Sequence, residues 1–154
     1  MTVTVARAFI PKRFSVGKTK GVYTFKEPSF PLVDYEKDGE WWRMDIAFYA
    51  GFRSDGASTP FPFSLIVPGF KDGDDLYNLA PFLHDALYAT KGGKIFSREE
   101  CDDFLRGIWR ISGMGRFVAG VADKCVEWFA GGKRHWGNDC YDAARFFQFH
   151  RIKM

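Results

Sequence analysis

The chain has 154 residues, 46% hydrophobic and 18% aromatic with 17 Phe, and a formal charge of +3. That length is enough for one domain over residues 1–154, burying roughly 68–70% of the unfolded surface without staples. The composition excludes a disordered chain, three cysteines are too few and too odd for a disulfide scaffold, and no apolar run approaches the ~18 residues of a transmembrane helix.

Thr2 to Ile10, rich in Val, Thr and Phe, reads as a strand ended by Pro11, and Gly21 to Lys26 as a second. Leu32 to Tyr35 is expected to pair with Trp41 to Phe52 across Lys37-Asp38-Gly39, because Asp-Gly is a strong hairpin signal. In the longer strand Trp42, Met44, Ile46 and Phe48 alternate with Trp41, Arg43, Asp45 and Ala47, which sends one face into the core. Gly51 to Pro62 is the most loop-like stretch. Asp55-Gly56 supplies a tight turn there, and Ser58 or Thr59 before Pro60 suits a helix N-cap. Val67 to Asp75 is a second loop.

Leu76, Leu79, Ala80, Leu83 and Leu87 form one stripe of a helix, with Phe82, Ala86 and Ala89 opposite and His84 one turn from Tyr88. A helix apolar nearly all round is buried, so His84 and Asp85 are an ionisable pair inside a core element and need partners. Lys91-Gly92-Gly93-Lys94 lets the chain turn back, and Ser97-Arg98-Glu99-Glu100 matches a capping box opening a second helix. Its stripe is Cys101, Phe104, Leu105, Ile108, Ile111 and Ser112. Asp102 lies on the flank of that stripe with Trp109, whereas Asp103 points about 160° away. Met114, Phe117, Val118, Val121, Cys125, Trp128 and Phe129 predict a third helix, closed by Gly131-Gly132. The last twenty residues, with Trp136, Tyr141, Phe146, Phe147 and Phe149, are aromatic enough to wrap the body. Residues 1–66 are therefore mainly strands and loops and 67–154 mainly helical. The expected class is α+β, a small N-terminal antiparallel sheet packed on a C-terminal bundle of about three helices.

Cys101 and Cys125 read as buried small hydrophobes. No CxxC or HxxxH spacing exists for structural zinc, and His135 with Cys140 is the one pair close enough in sequence to keep a metal site open. Residues 1–26 carry Arg7, Lys12, Arg13, Lys18, Lys20 and Lys26 with no acid, and residues 133–154 carry Lys133, Arg134, Arg145, Arg151 and Lys153 against Asp139 and Asp142. Such ends are either solvated or meet phosphate or an acidic partner surface. Nothing argues for sequence-specific nucleic-acid binding. Met1 to Ile10 lacks the apolar core of a signal peptide, which points to a cytoplasm or a particle assembled in one.

The short connection Ala89 to Phe96 favours antiparallel packing of the two helices, which lets Asp102 approach His84. A carboxylate on one imidazole nitrogen fixes the tautomer and leaves the other to take a proton, while Asp85, about 100° round the helix, is free for a cation. One base, one orienter and one acidic ligand suit hydrolysis. The plainer reading is structural, with the imidazole on a carbonyl and the carboxylate capping a loop. A Ser58–His84–Asp102 triad is a further reading, but there is no G-x-S-x-G elbow and capping explains Ser58. Asp55 has a plain role as the Asx residue of its turn.

Gly51-Phe52-x-Ser54-Asp55-Gly56-Ala57-Ser58-x-Pro60, then His84-Asp85-Ala86-Leu87-Tyr88, then Glu100-Cys101-Asp102 resembles the phage-associated domain of unknown function 1353 over roughly residues 30–112. This resemblance implies a bacteriophage or prophage origin and no settled activity. Pro68-Gly69, His84-Asp85-x-x-Tyr88 and the downstream Cys101-Asp102 also look like the minimal phospholipase A2 domain of parvovirus capsids. That second resemblance implies His84 as the base activating water, Asp102 as its orienter and Tyr88 as support. It also implies calcium held by Asp85 with carbonyls of Pro68 to Phe70, Gly69 among them. The loop is poorer in glycine than in that family, and Lys71 puts a positive charge beside it. Without an ion, Asp85 needs a neighbour such as Lys71, Arg53 or Arg98. Two expectations follow: ester or lipid hydrolysis at His84, Asp102 and Tyr88 with Asp55 and Ser58 lining the site, or a non-enzymatic virion or assembly protein whose partners are other phage proteins. Either would act in the host cytoplasm or the phage particle.

Overall fold

The computed structural model describes residues 2–56, 63–128 and 143–154. In chain order its strands are β1 (Val3–Phe9), β2 (Val16–Thr19), β3 (Val22–Phe25), β4 (Leu32–Lys37), β5 (Glu40–Ile46) and β6 (Arg53–Ser54). The helices α1 (Asp75–Ala89), α2 (Arg98–Ile111), α3 (Arg116–Trp128) and the one-turn α4 (Ala143–Phe146) follow, and then β7 (Phe147–Arg151). An antiparallel sheet runs β1-β4-β5-β7, and a smaller one runs β2-β3-β6. The fold is α+β as expected, with one addition: a strand from the mainly helical C-terminal half completes the larger sheet on the outer side of β5.

Two hairpins build the sheets. Asp38 (φ 57°) and Gly39 (φ 79°) join β4 to β5, and Lys20 (φ 52°) and Gly21 (φ 77°) join β2 to β3. Two successive left-handed residues make the type I′ turn whose twist matches the flanking strands. The Lys20-Gly21 turn lacks the Asx-Gly signal of the other hairpin, because lysine is not a turn residue. Met44, Ile46 and Phe48 are buried as their alternation demands. The predicted strand Trp41 to Phe52 is interrupted, however. It leaves the large sheet after Ile46, bridges Ser29 at Phe48, turns at Tyr49–Phe52 and joins the other sheet as β6.

The helices fill the two sheets from one side each. Phe82 of α1 meets the rings of Phe14, Tyr23, Phe25, Phe48 and Phe70 at 5.4 to 6.5 Å, next to the small sheet. Phe104 of α2 packs with Tyr35 and Phe96 at 5.0 Å each, under the large one. Gly107 lets α2 lie close on β1, since a Cβ there would stand 2.7 Å from Val5 Cγ2, where β1 is bulged. Asp103, on the far side of α2 as its helical angle requires, accepts a hydrogen bond from Val3 N at 3.1 Å. Phe117 departs from its expected place: α3 turns Val118, Val121 and Ala122 inward, and Phe117, at the edge of that face, is 74% exposed. The Gly131-Gly132 closure, the aromatic residues Phe129, Trp136 and Tyr141, and the His135–Cys140 pair lie outside the described residues. Among the described residues no helix is long and apolar enough to cross a membrane.

Pro81 sits inside α1, so the carbonyl of Tyr77 four residues earlier loses its helical donor. Trp109 Nε1 of α2 donates to that carbonyl at 3.3 Å, and its ring stacks on Tyr77 at 5.6 Å. A buried carbonyl left alone costs about 1–3 kcal/mol. Trp109→Phe is therefore expected to lose about 2 kcal/mol in urea unfolding. Pro81→Ala should recover part of that loss only in the Trp109→Phe background, because an alanine N–H can then reach Tyr77. Strictly additive effects of the two substitutions would refute the link.

Candidate active site

The central cluster is assembled by the turn between α1 and α2. Four consecutive residues, Lys91, Gly92, Gly93 and Lys94, take φ between 53° and 72°, and Thr90 Oγ1 donates to Ala86 O at 2.8 Å and accepts from Gly93 N at 3.1 Å. The reversal makes the helices antiparallel, with Tyr77 opposite Trp109 and His84 opposite Asp102. The Ser97–Glu100 capping box, both of its bonds present, starts α2 so that Asp102 falls beside α1.

His84 Nε2 lies 2.7 Å from Asp102 Oδ1, and the Tyr88 hydroxyl donates to the same oxygen at 2.9 Å. The His84 and Tyr88 rings are 4.2 Å apart, one turn along α1. Burial, then the negative charge of Asp102 and its hydrogen bond, push the Tyr88 phenol far above its ordinary range, so it stays a donor. His84 is 6% exposed, the Asp102 side chain 18%. Among the described residues no group hydrogen-bonds His84 Nδ1. The three residues read as base, orienter and support are thus in mutual contact.

Asp85 belongs to a second cluster. Its Oδ2 accepts from Ser54 Oγ at 2.5 Å, and the Gly56 N–H donates to that Ser54 oxygen at 3.0 Å. Burial first, and then the charge of Asp55, raise the Asp85 carboxyl well above the usual carboxylate range. Of the cations considered as its neighbours, Lys71 lies instead over the Tyr77 ring at 4.5 Å, and Arg98 acts on Tyr88. Ser54 was missed by sequence reasoning. The signal for it was the strand pleat, which turns Ser54 inward where Arg53 faces out.

Gly56 has φ 70°, and a Cβ on it would stand 2.3 Å from the carbonyl oxygen of Gly69. Only glycine allows the Asp55-Gly56 turn to press on the Pro68-Gly69 loop. That loop is tied to α1: Tyr77 OH donates to Pro68 O at 2.5 Å, and the Asn78 side chain accepts from Lys71 N and donates to Lys71 O at 2.9 and 2.7 Å. Of the carbonyls read as cation ligands, Pro68's is engaged by Tyr77 and Gly69's lies against the turn that carries Asp55. No group of three or more His, Cys, Asp or Glu side chains suited to a metal occurs among the described residues. Ser58, and with it the proposed serine triad, lies outside them.

The sign of the Asp85 shift is testable. A carboxyl raised in the folded state adds stability below its unfolded value of about 4, and that contribution is lost as pH rises through the folded value. Asp85→Asn keeps the neutral form. It should match the parent near pH 4 and exceed it in stability at pH 8, measured by urea denaturation at both. A variant no more stable at pH 8 would contradict the assignment.

The molecule is an α+β protein with a histidine–carboxylate pair bridging two antiparallel helices and a serine–carboxylate cluster one residue away. The chain belongs to the DUF1353 family, described as protein of unknown function, whose profile matches residues 33–122. That span holds Ser54, Asp55, Gly56, His84, Asp85, Tyr88 and Asp102. No curated protein and no solved structure matches the chain.

Proposed function

We propose that this is a phage-encoded hydrolase of ester bonds, phospholipid esters first, acting in the host cytoplasm or the phage particle. The observation that carries this reading is the His84–Asp102–Tyr88 contact. With Nε2 on Asp102, the neutral imidazole is held as the tautomer whose Nδ1 is the acceptor. A water on Nδ1 gives up its proton there as its oxygen attacks the ester carbonyl, and Asp102 stabilises the imidazolium that forms. That proton then passes to the departing alcohol oxygen as the tetrahedral species collapses. The arrangement agrees with the part played by these residues in the phospholipase A2-like resemblance. Calcium in that resemblance would be held by Asp85 with Gly69 O, and it would have to displace the Ser54 bond and ionise a carboxyl that burial keeps protonated. Calcium, when bound, supplies charge to offset the developing oxyanion.

The second reading is a virion or assembly protein in which these bonds only pin α1 to α2 and β6. The near-complete burial of His84 favours it. His84→Ala, assayed on phospholipid and simple ester substrates with and without calcium, separates the two. A hydrolase should lose roughly 10²–10⁴-fold in turnover in a variant that still melts cooperatively, even if at a lower temperature because a buried ring has been removed. An inert parent and a variant that unfolds would overturn the enzymatic reading.

A further inference from the structure

The basic N-terminal stretch is used by neither reading, and its placement gives it a direction. In the small sheet Tyr23 pairs with Ser54, facing α1, and Thr24 pairs with Arg53 on the opposite, outward face. The pleat puts Val22 and Lys26 on that outward face too, and Lys20 stands in the turn at its end. Lys20, Val22, Lys26 and Arg53 are exposed, and the three cations form no ion pair among the described residues. The acids nearest in sequence are engaged elsewhere: Glu27 by Lys12 at 3.0 Å, and Asp55 by Asp85. Arg53 immediately precedes Ser54, the residue that bonds Asp85, so the small sheet lies between this outward face and α1.

We propose that this outward face of β2, β3 and β6 docks the protein on an anionic phospholipid surface, with Lys20, Lys26 and Arg53 as the headgroup contacts. The inference rests on the lipid-ester reading for its substrate and on charge complementarity for its occupant. A lipid fits better than a nucleic acid. Val22 and the threonines between the cations suit a headgroup layer, and the two rings of the sheet, Tyr23 and Phe25, are buried on its inner side, Tyr23 stacked on Phe70 at 4.4 Å, where no base can reach them.

The test is co-sedimentation of the whole chain with vesicles of ether-linked phospholipids, which have no ester to cleave. Phosphatidylglycerol–phosphatidylcholine mixtures are compared with phosphatidylcholine alone, and duplex DNA is a competitor. Binding is expected only to the anionic vesicles and should collapse at about 1 M salt, where the screening length is about 3 Å. Lys20→Gln alone should weaken it about fivefold, and the triple variant with Lys26→Gln and Arg53→Gln roughly a hundredfold. Equal binding to phosphatidylcholine, variants that bind like the parent, or preference for DNA would each overturn the docking face. A chain that binds anionic vesicles yet cleaves no ester loses its proposed activity and keeps this surface. One that cleaves esters with no anionic preference loses the surface alone.

Discussion

Asp102→Asn is expected to lower turnover about a thousandfold while leaving the fold intact. Asparagine retains an oxygen at the position where His84 and Tyr88 both converge, at 2.7 and 2.9 Å, so both hydrogen bonds survive and the tautomer is kept. What disappears is the charge facing the imidazolium. At a separation near 4 Å and an effective dielectric of about 20 that interaction is worth about 4 kcal/mol, close to three decades of rate. The loss should fall on kcat with KM little changed, because the charge matters only once the ring is protonated. Tyr88→Phe, which removes one of two donors to a carboxylate that keeps its charge, should cost far less. Were the cluster purely structural, parent and Asp102→Asn would be equally inert, and only the melting curves would differ.

Gly56→Ala should be the most damaging alanine substitution among the turn glycines, at about 3 kcal/mol. A left-handed residue with a Cβ costs about 1–2 kcal/mol, and moving a backbone carbonyl out of a 2.3 Å overlap adds about as much again. Gly51→Ala isolates the first part, since Gly51 has φ 92° with nothing within 4 Å of an added Cβ. In a domain this size the 3 kcal/mol amounts to a melting temperature about 6–12 °C lower, against a few degrees for Gly51→Ala. The damage should reach the site, because Gly56 N bonds the Ser54 oxygen that holds Asp85. Equal melting temperatures for the two variants would refute the close approach of the turns.

Wherever local rules act alone, the residues were sufficient. The Ser97 capping box, the Asp38-Gly39 hairpin, the all-round apolar surface of α1 and the reversal of the chain at Gly92-Gly93 each follow from a few neighbouring side chains. Together they brought Asp102 to His84, since an antiparallel helix pair joined by a short turn leaves little freedom of register. The bond from Ser54 to Asp85, the abutment of Gly56 on Gly69, the use of the Pro68 carbonyl by Tyr77 and the pairing of β7 with β5 were decided only by the tertiary structure. Each joins groups whose approach is set by how loops and sheets pack, not by a repeating period along the chain, so no pattern of neighbours announces it. Helix packing therefore made the histidine–carboxylate pair legible in advance, while the environment of Asp85 depended on where two loops came to rest.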